Sequence, residues 1–163
     1  MENNNLQIAH IEYSINTKSL DIFTIGCNGS CNGCFNTELK DWNQKGISVF
    51  DTLNKVMELH NRYDNLIDKV IIVGGDPCDA YEKYPFDIKN LLKGIKGITH
   101  KPIFLFTRFS IEYIQDDIKD LVDYIKTGKY IPELKCDDNI EYGIKLATKN
   151  QHIYKKEGSE WIE

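Results

Sequence analysis

The sequence predicts an α/β fold built round a parallel sheet, and three observations carry that prediction. Short β-branched runs alternate with amphipathic helical stretches, the pattern of strands covered by crossover helices. Several runs end at a breaker or a change to polar residues: Gly26-Cys27, Gly74-Gly75-Asp76-Pro77 and Thr107-Arg108. No internal repeat and no low-complexity linker interrupts the 163 residues, a length that suits one domain over 1–163.

Each element has its own signal. Leu6–Tyr13 and Leu20–Ile25 read as an N-terminal strand pair, with Asn16–Ser19 as the turn. Cys27–Asn36 holds three Cys, two Gly and three Asn and reads as a loop, because Gly and Asn tolerate left-handed backbone. Ser48, with Asp51 three residues on, gives a capping-box-like helix start, and Val49, Leu53, Val56 and Met57 fall on one face. Lys69–Val73 is a compact strand that stops at Gly74–Pro77. Phe86–Lys96 carries a stripe of Ile88, Leu91, Leu92 and Ile95, with Gly97 as a C-terminal stop. Pro102–Thr107 is a further strand, and Ser110 caps a short helix with Ile111, Ile114 and Ile118. Leu121–Ile125 reads as a core strand running into Lys126-Thr127-Gly128, and Ile140–Leu146 and His152–Tyr154 as late extended segments. Parallel sheets bind ligands at the carboxyl ends of their strands. The Cys-rich loop, the glycine motif and Thr107-Arg108 all follow strands, so one shared site is expected.

Composition narrows the function. Hydrophobic residues make up 41% and charged residues 28%, as in ordinary globular domains. No apolar run approaches the roughly 18–20 residues that span a bilayer. The opening Met1-Glu2-Asn3-Asn4-Asn5 lacks the order of a signal peptide, which predicts a cytoplasmic protein. The net charge of −5 and the scattered Lys and Arg argue against nucleic acid as the main ligand.

Of the five cysteines, Cys27, Cys31 and Cys34 fall within eight residues, spaced C-x3-C-x2-C. An odd count argues against a disulfide framework. Clustered thiolates suit iron–sulfur clusters or zinc. Electron-transfer cubanes usually take four Cys, so three ligands leave one iron open to substrate. The competing reading is structural zinc, with a fourth ligand from Cys78, Cys136 or a His, although x3-then-x2 spacing fits zinc poorly. Cys78 otherwise reads as a small packed side chain and Cys136 as a free thiol.

The motif C-x3-C-x2-C resembles the signature of the radical S-adenosylmethionine superfamily. Gly26-Cys27, Cys34-Phe35-Asn36 and Trp42 resemble the anaerobic ribonucleotide reductase activating proteins within it. Gly74-Gly75-Asp76-Pro77 looks like the superfamily's GGEP or GGDP motif, and Leu105-Phe106-Thr107, Asp123–Gly128 and Asn150-Gln151 resemble its later segments. Arg108 stands where many members have Gly, and Cys78 where Leu is common. The resemblance implies a small incomplete (β/α) barrel and a radical enzyme whose [4Fe–4S] cluster sits on Cys27, Cys31 and Cys34. It implies that Gly74, Gly75, Asp76 and Pro77 bind S-adenosylmethionine, with the cluster and cofactor, not a side chain, carrying the chemistry. Thr107 is a further cofactor candidate, and Lys126 is a candidate for the cofactor's carboxylate. The implied partners are the large subunit of anaerobic ribonucleotide reductase, as acceptor of a glycyl radical, and an electron donor such as flavodoxin or ferredoxin. A homodimer is also expected on resemblance. Two alternatives stand beside this reading: a radical enzyme acting on a small molecule or peptide, such as a deazapurine-forming type, and a non-catalytic zinc or iron–sulfur module.

Overall fold

The structure, a computed structural model, describes residues 3–163. The expected N-terminal pair is present as β1 (Ile8–Ser14) and β2 (Ser19–Thr24), antiparallel to each other. Next come β3 (Lys69–Gly74), β4 (Ile103–Phe106) and β5 (Tyr124–Thr127). From β2 to β5 every neighbouring pair is parallel. A two-stranded ribbon follows, β6 (Ile140–Glu141) and β7 (Ile144–Lys145), turning through Tyr142 and Gly143 at positive φ. Finally β8 (His152–Glu157) returns antiparallel along β5, and β9 (Glu160–Ile162) pairs with β8. The order is linear, β1-β2-β3-β4-β5-β8-β9. The architecture is therefore mixed α/β, with a parallel centre and antiparallel flanks.

Side chains alternate along each strand, so one strand serves two faces. Val70 and Ile72 of β3 join the core under the helices, with Ile22, Ile103, Leu105 and Ile125. Ile71 and Phe104 face the other way, against Ile144 and Leu146 of the ribbon segment and Ile153. Burial on both faces explains the unbroken apolar run in β3.

Two long helices cover the first face. In α1 (Val49–Tyr63) Ser48 is the N-cap, its Oγ accepting from Asp51 N at 3.0 Å, as the sequence predicts. Thr52 and Val56 are its buried residues, while Met57 is 46% exposed and lies off the expected stripe. A short helix, α2 (Pro77–Lys83), begins where the sequence signals only a breaker. The next, α3 (Pro85–Ile98), buries Ile88, Leu91, Leu92 and Ile95, each worth roughly 1.5–3 kcal/mol in gross transfer energy. It runs through Gly97 rather than stopping there, and Thr99 N closes it on Ile95 O. Gly94 lets the two long helices approach, since a Cβ there would lie 2.5 Å from Leu53.

The Ser110 segment is a 3-10 turn, Ile111–Tyr113, and the short α4 (Asp116–Lys119) follows separately. The strand expected over Leu121–Ile125 starts three residues later. Leu121 N still bonds to Ile118 O. Asp123 then brackets the end of the neighbouring strand: its N donates to Ile103 O and its carboxylate accepts from Ile103 N. The ladder opens only at Tyr124. Among the described residues, no helix is long and apolar enough to cross a membrane.

Candidate functional site

Parallel pairing puts the exits of β2, β3, β4 and β5 at one end of the sheet. The first two exits run on side by side. Gly75 N donates to Thr24 O at 2.8 Å, and Asp76 N to Gly26 O at 2.9 Å. This approach needs glycine. A Cβ on Gly75 would lie 2.2 Å from Gly26 O, and one on Gly74 2.4 Å from Thr24 N. Gly26 itself has φ +107 and lies under the Trp42 ring, whose Nε1 donates to Asn28 Oδ1. The Cys loop is thus seated between the glycine motif and Trp42.

Asp76 then starts α2 as its N-cap, with Pro77 at the first helical position. Its carboxylate is engaged through both oxygens: Oδ1 accepts from Cys78 N at 2.9 Å and Thr107 Oγ1 at 2.7 Å, and Oδ2 accepts from Arg108 N at 3.0 Å. Burial pushes its carboxyl up, and these donors work against that push. Thr107 is also occupied, since its Oγ1 accepts from Phe109 N. Both side chains are therefore committed to joining the β3 and β4 exits.

One turn along α2, buried Asp79 ties the Cys loop down. Its Oδ2 accepts from Asn28 N at 2.8 Å, and Arg108 Nη2 reaches both its oxygens at 3.0 and 2.8 Å. The guanidinium lies 4.2 Å from the centre of the Phe109 ring. Asp79 escapes sequence reading, because the helix that carries it begins where the sequence signals only a breaker.

A cavity of about 300 Å³ opens at these exits. Cys27, Cys31, Cys34, Gly74, Gly75, Asp76, Thr107 and Lys126 all line it, so the structure brings together every expected site residue except Pro77. Pro77 is buried in the first turn of α2. Lys40, Arg108, Lys129 and Lys145 also face the cavity, against the single carboxylate of Asp76. Such a surplus of cations suits an anionic group. Lys126 Nζ donates to Gly128 O at 3.2 Å, and burial pulls its amine down to about 8. At neutral pH such an amine is still mostly charged, and a bound anion favours the charged form further.

The donor set fits an iron–sulfur cluster. All three thiols are half-buried and free of disulfides. Burial pushes the Cys27 thiol up, while Gly29 N, donating to Cys27 Sγ at 3.2 Å, favours the thiolate. Arg108 Nε is buried with no acceptor of its own, a donor left over beside the sulfur. Among the described residues, no three His, Cys, Asp or Glu side chains gather closely enough to hold a single ion. A cubane binds each of its thiolates on a different iron, so its ligands stand apart.

A family model described as a 4Fe-4S single cluster domain matches residues 18–153, from the β1–β2 turn into β8, and the match spans every site residue named above. No curated protein matches the chain.

Proposed function

Because the chain belongs to the 4Fe-4S single cluster domain family, a family associated with radical S-adenosylmethionine proteins, we propose that it is a radical S-adenosylmethionine enzyme with its cluster on Cys27, Cys31 and Cys34. The observation that carries the reading is the common cavity: three thiols, the Gly74–Gly75 strand exit and the Lys126 amine meet in one space. When bound, the cluster and S-adenosylmethionine supply one-electron cleavage of the sulfonium, giving methionine and a 5′-deoxyadenosyl radical.

The chain's own residues position and shield. The side chains of Asp76 and Thr107 are tied to one another and to backbone N–H groups, so the methionyl amine is met by the Gly74–Gly75 backbone. Lys126 faces the methionyl carboxylate, and binding that carboxylate keeps its amine charged. Thr107 acts through Asp76 by fixing the strand exits. Gly74 and Gly75 let the β2 and β3 exits approach each other, and Gly29 lets the Cys loop lie against Arg108.

The acceptor of the radical, on this proposal, is a glycine of the large subunit of anaerobic ribonucleotide reductase, with flavodoxin or ferredoxin as electron donor. The rim supports a polypeptide substrate. Phe35 lines the cavity, is 74% exposed, and meets Tyr130 edge-on at 5.4 Å.

The test is anaerobic. Protein reconstituted with iron and sulfide, then given dithionite and S-adenosylmethionine, is expected to release 5′-deoxyadenosine. Cys27→Ala, Cys31→Ala and Cys34→Ala each lower the yield at least a hundredfold. A wild type that takes up only zinc ends the cluster reading. A wild type that holds a cubane but makes no 5′-deoxyadenosine, even with the cognate reductase present, ends the radical reading. Release of 5′-deoxyadenosine without a glycyl radical signal on the cognate reductase ends the activase reading alone.

A further inference from the structure

Arg108 is a cation of the site whose position is fixed from several sides. Asp79, 2% exposed, holds its Nη2 through both oxygens, Asp76 Oδ2 stands 3.7 Å from its Nε, and Phe109 supports its flat face. The Cys loop is shaped round it. A Cβ on Gly29 would lie 2.5 Å from Arg108 Nε, 2.8 Å from its Cδ and 3.2 Å from Cys27 Sγ. Glycine at 29 thus lets guanidinium and thiol lie against the same piece of backbone. The buried Nε–H has no acceptor, and a buried unpaired donor costs about 1–3 kcal/mol. A thiolate at Cys27 removes that cost.

We propose that Arg108 is a positioning residue that directs its Nε–H and its charge at Cys27 and thereby raises the reduction potential of the cluster. The inference rests on the cluster reading above. The physical reason is that cluster potentials follow net charge and the hydrogen bonds made to the sulfurs. An arriving electron adds negative charge, and a fixed cationic donor on a ligand sulfur offsets it. Asp79 prevents the guanidinium from swinging out to solvent, and it also receives Asn28 N. One carboxylate therefore sets the cation and the loop that carries the thiol.

The experiment is a redox titration of the reconstituted full chain, followed by the electron paramagnetic resonance signal of the reduced cluster. Iron content and thermal unfolding are measured in parallel. Arg108→Gln removes the charge and keeps much of the volume; Arg108→Lys keeps the charge and loses the Nε–H; Asp79→Asn frees the guanidinium from its anchor. Arg108→Gln is expected to lower the reduced-to-oxidised ratio at a fixed poise about tenfold, ~59 mV for a one-electron couple. Arg108→Lys falls between it and the wild type, and Asp79→Asn, which takes away a negative charge as it frees the guanidinium, stays above Arg108→Gln. A full cluster at the wild-type potential in Arg108→Gln overturns the proposal. So does loss of the cluster from all three variants, which makes Arg108 a strut of the loop and nothing more. A wild type without a cubane is a different failure, that of the cluster reading itself.

Discussion

Asp76 is 2% exposed, and three donors from two strand exits converge on its carboxylate. The GGDP motif therefore divides its labour: the glycines allow close approach and the Asp fastens what approaches. Asp76→Ala removes the α2 cap, worth about 1 kcal/mol, and leaves buried donors unpaired at about 1–3 kcal/mol. A loss of about 3 kcal/mol is expected, read as a lower midpoint in urea with an unchanged slope. At this scale the Asp-Pro pair reads from the sequence as a breaker, and its place as N-cap and first-turn residue comes from the structure. The partners are not legible. Thr107 lies 31 residues from Asp76, and Arg108 lies 29 from Asp79.

The exits of β2 and β3 show what decides the site at the level of elements. Their register pairs Thr24 with Gly74 and continues into two further backbone bonds beyond the strands. The wall of the cavity is thus an extension of the sheet, not a free loop. Gly75→Ala drives a methyl group into Gly26 O, and backbone has no rotamer by which to yield. Overpacking of this kind costs about 1–3 kcal/mol. It is expected to lower the melting temperature and to reduce iron uptake, while Gly97→Ala, where a Cβ meets nothing within 4 Å, leaves iron uptake unchanged. The strand before Lys126 carries a related lesson. Periodicity places Leu121–Ile125 in the sheet, but the turn after α4 and the Asp123 bridge to Ile103 delay the ladder. A local apolar run cannot report where its neighbour ends.

Across the whole molecule, charge placement contributes to stability as well as to the site. Asp21 on β2 lies directly opposite Glu12 on β1, a pairing of like charges that destabilises a sheet. Burial first, with Glu12 adding to it, pushes the Asp21 carboxyl above its usual value, while Ser19 and Lys69 pull the other way. Folding thus favours the protonated form. The stability this contributes is complete below the unfolded value of 3.8 and is lost as pH rises through the folded-state value. Asp21→Asn keeps an acceptor for Ser19 Oγ and removes the titration. The variant is expected to gain on the wild type in urea midpoint between about pH 3 and pH 6 and to stay ahead at neutral pH. An unchanged difference across that range refutes the assignment.

The sequence by itself determined the chemistry that lies in consecutive residues: the three thiols of Cys27–Cys34, the glycine approach at Gly74-Gly75, and the alternation that makes a parallel-centred α/β fold. These are legible because ligand spacing, backbone freedom and hydrophobic period are local properties. Only the tertiary structure decided that Lys126 enters the cysteine cavity and that Asp79 anchors Arg108. It also decided that the side chains of Asp76 and Thr107 are bound to each other. A buried charge or hydroxyl must have a partner, but which partner depends on strand register and helix placement, and those are fixed by packing over the whole core.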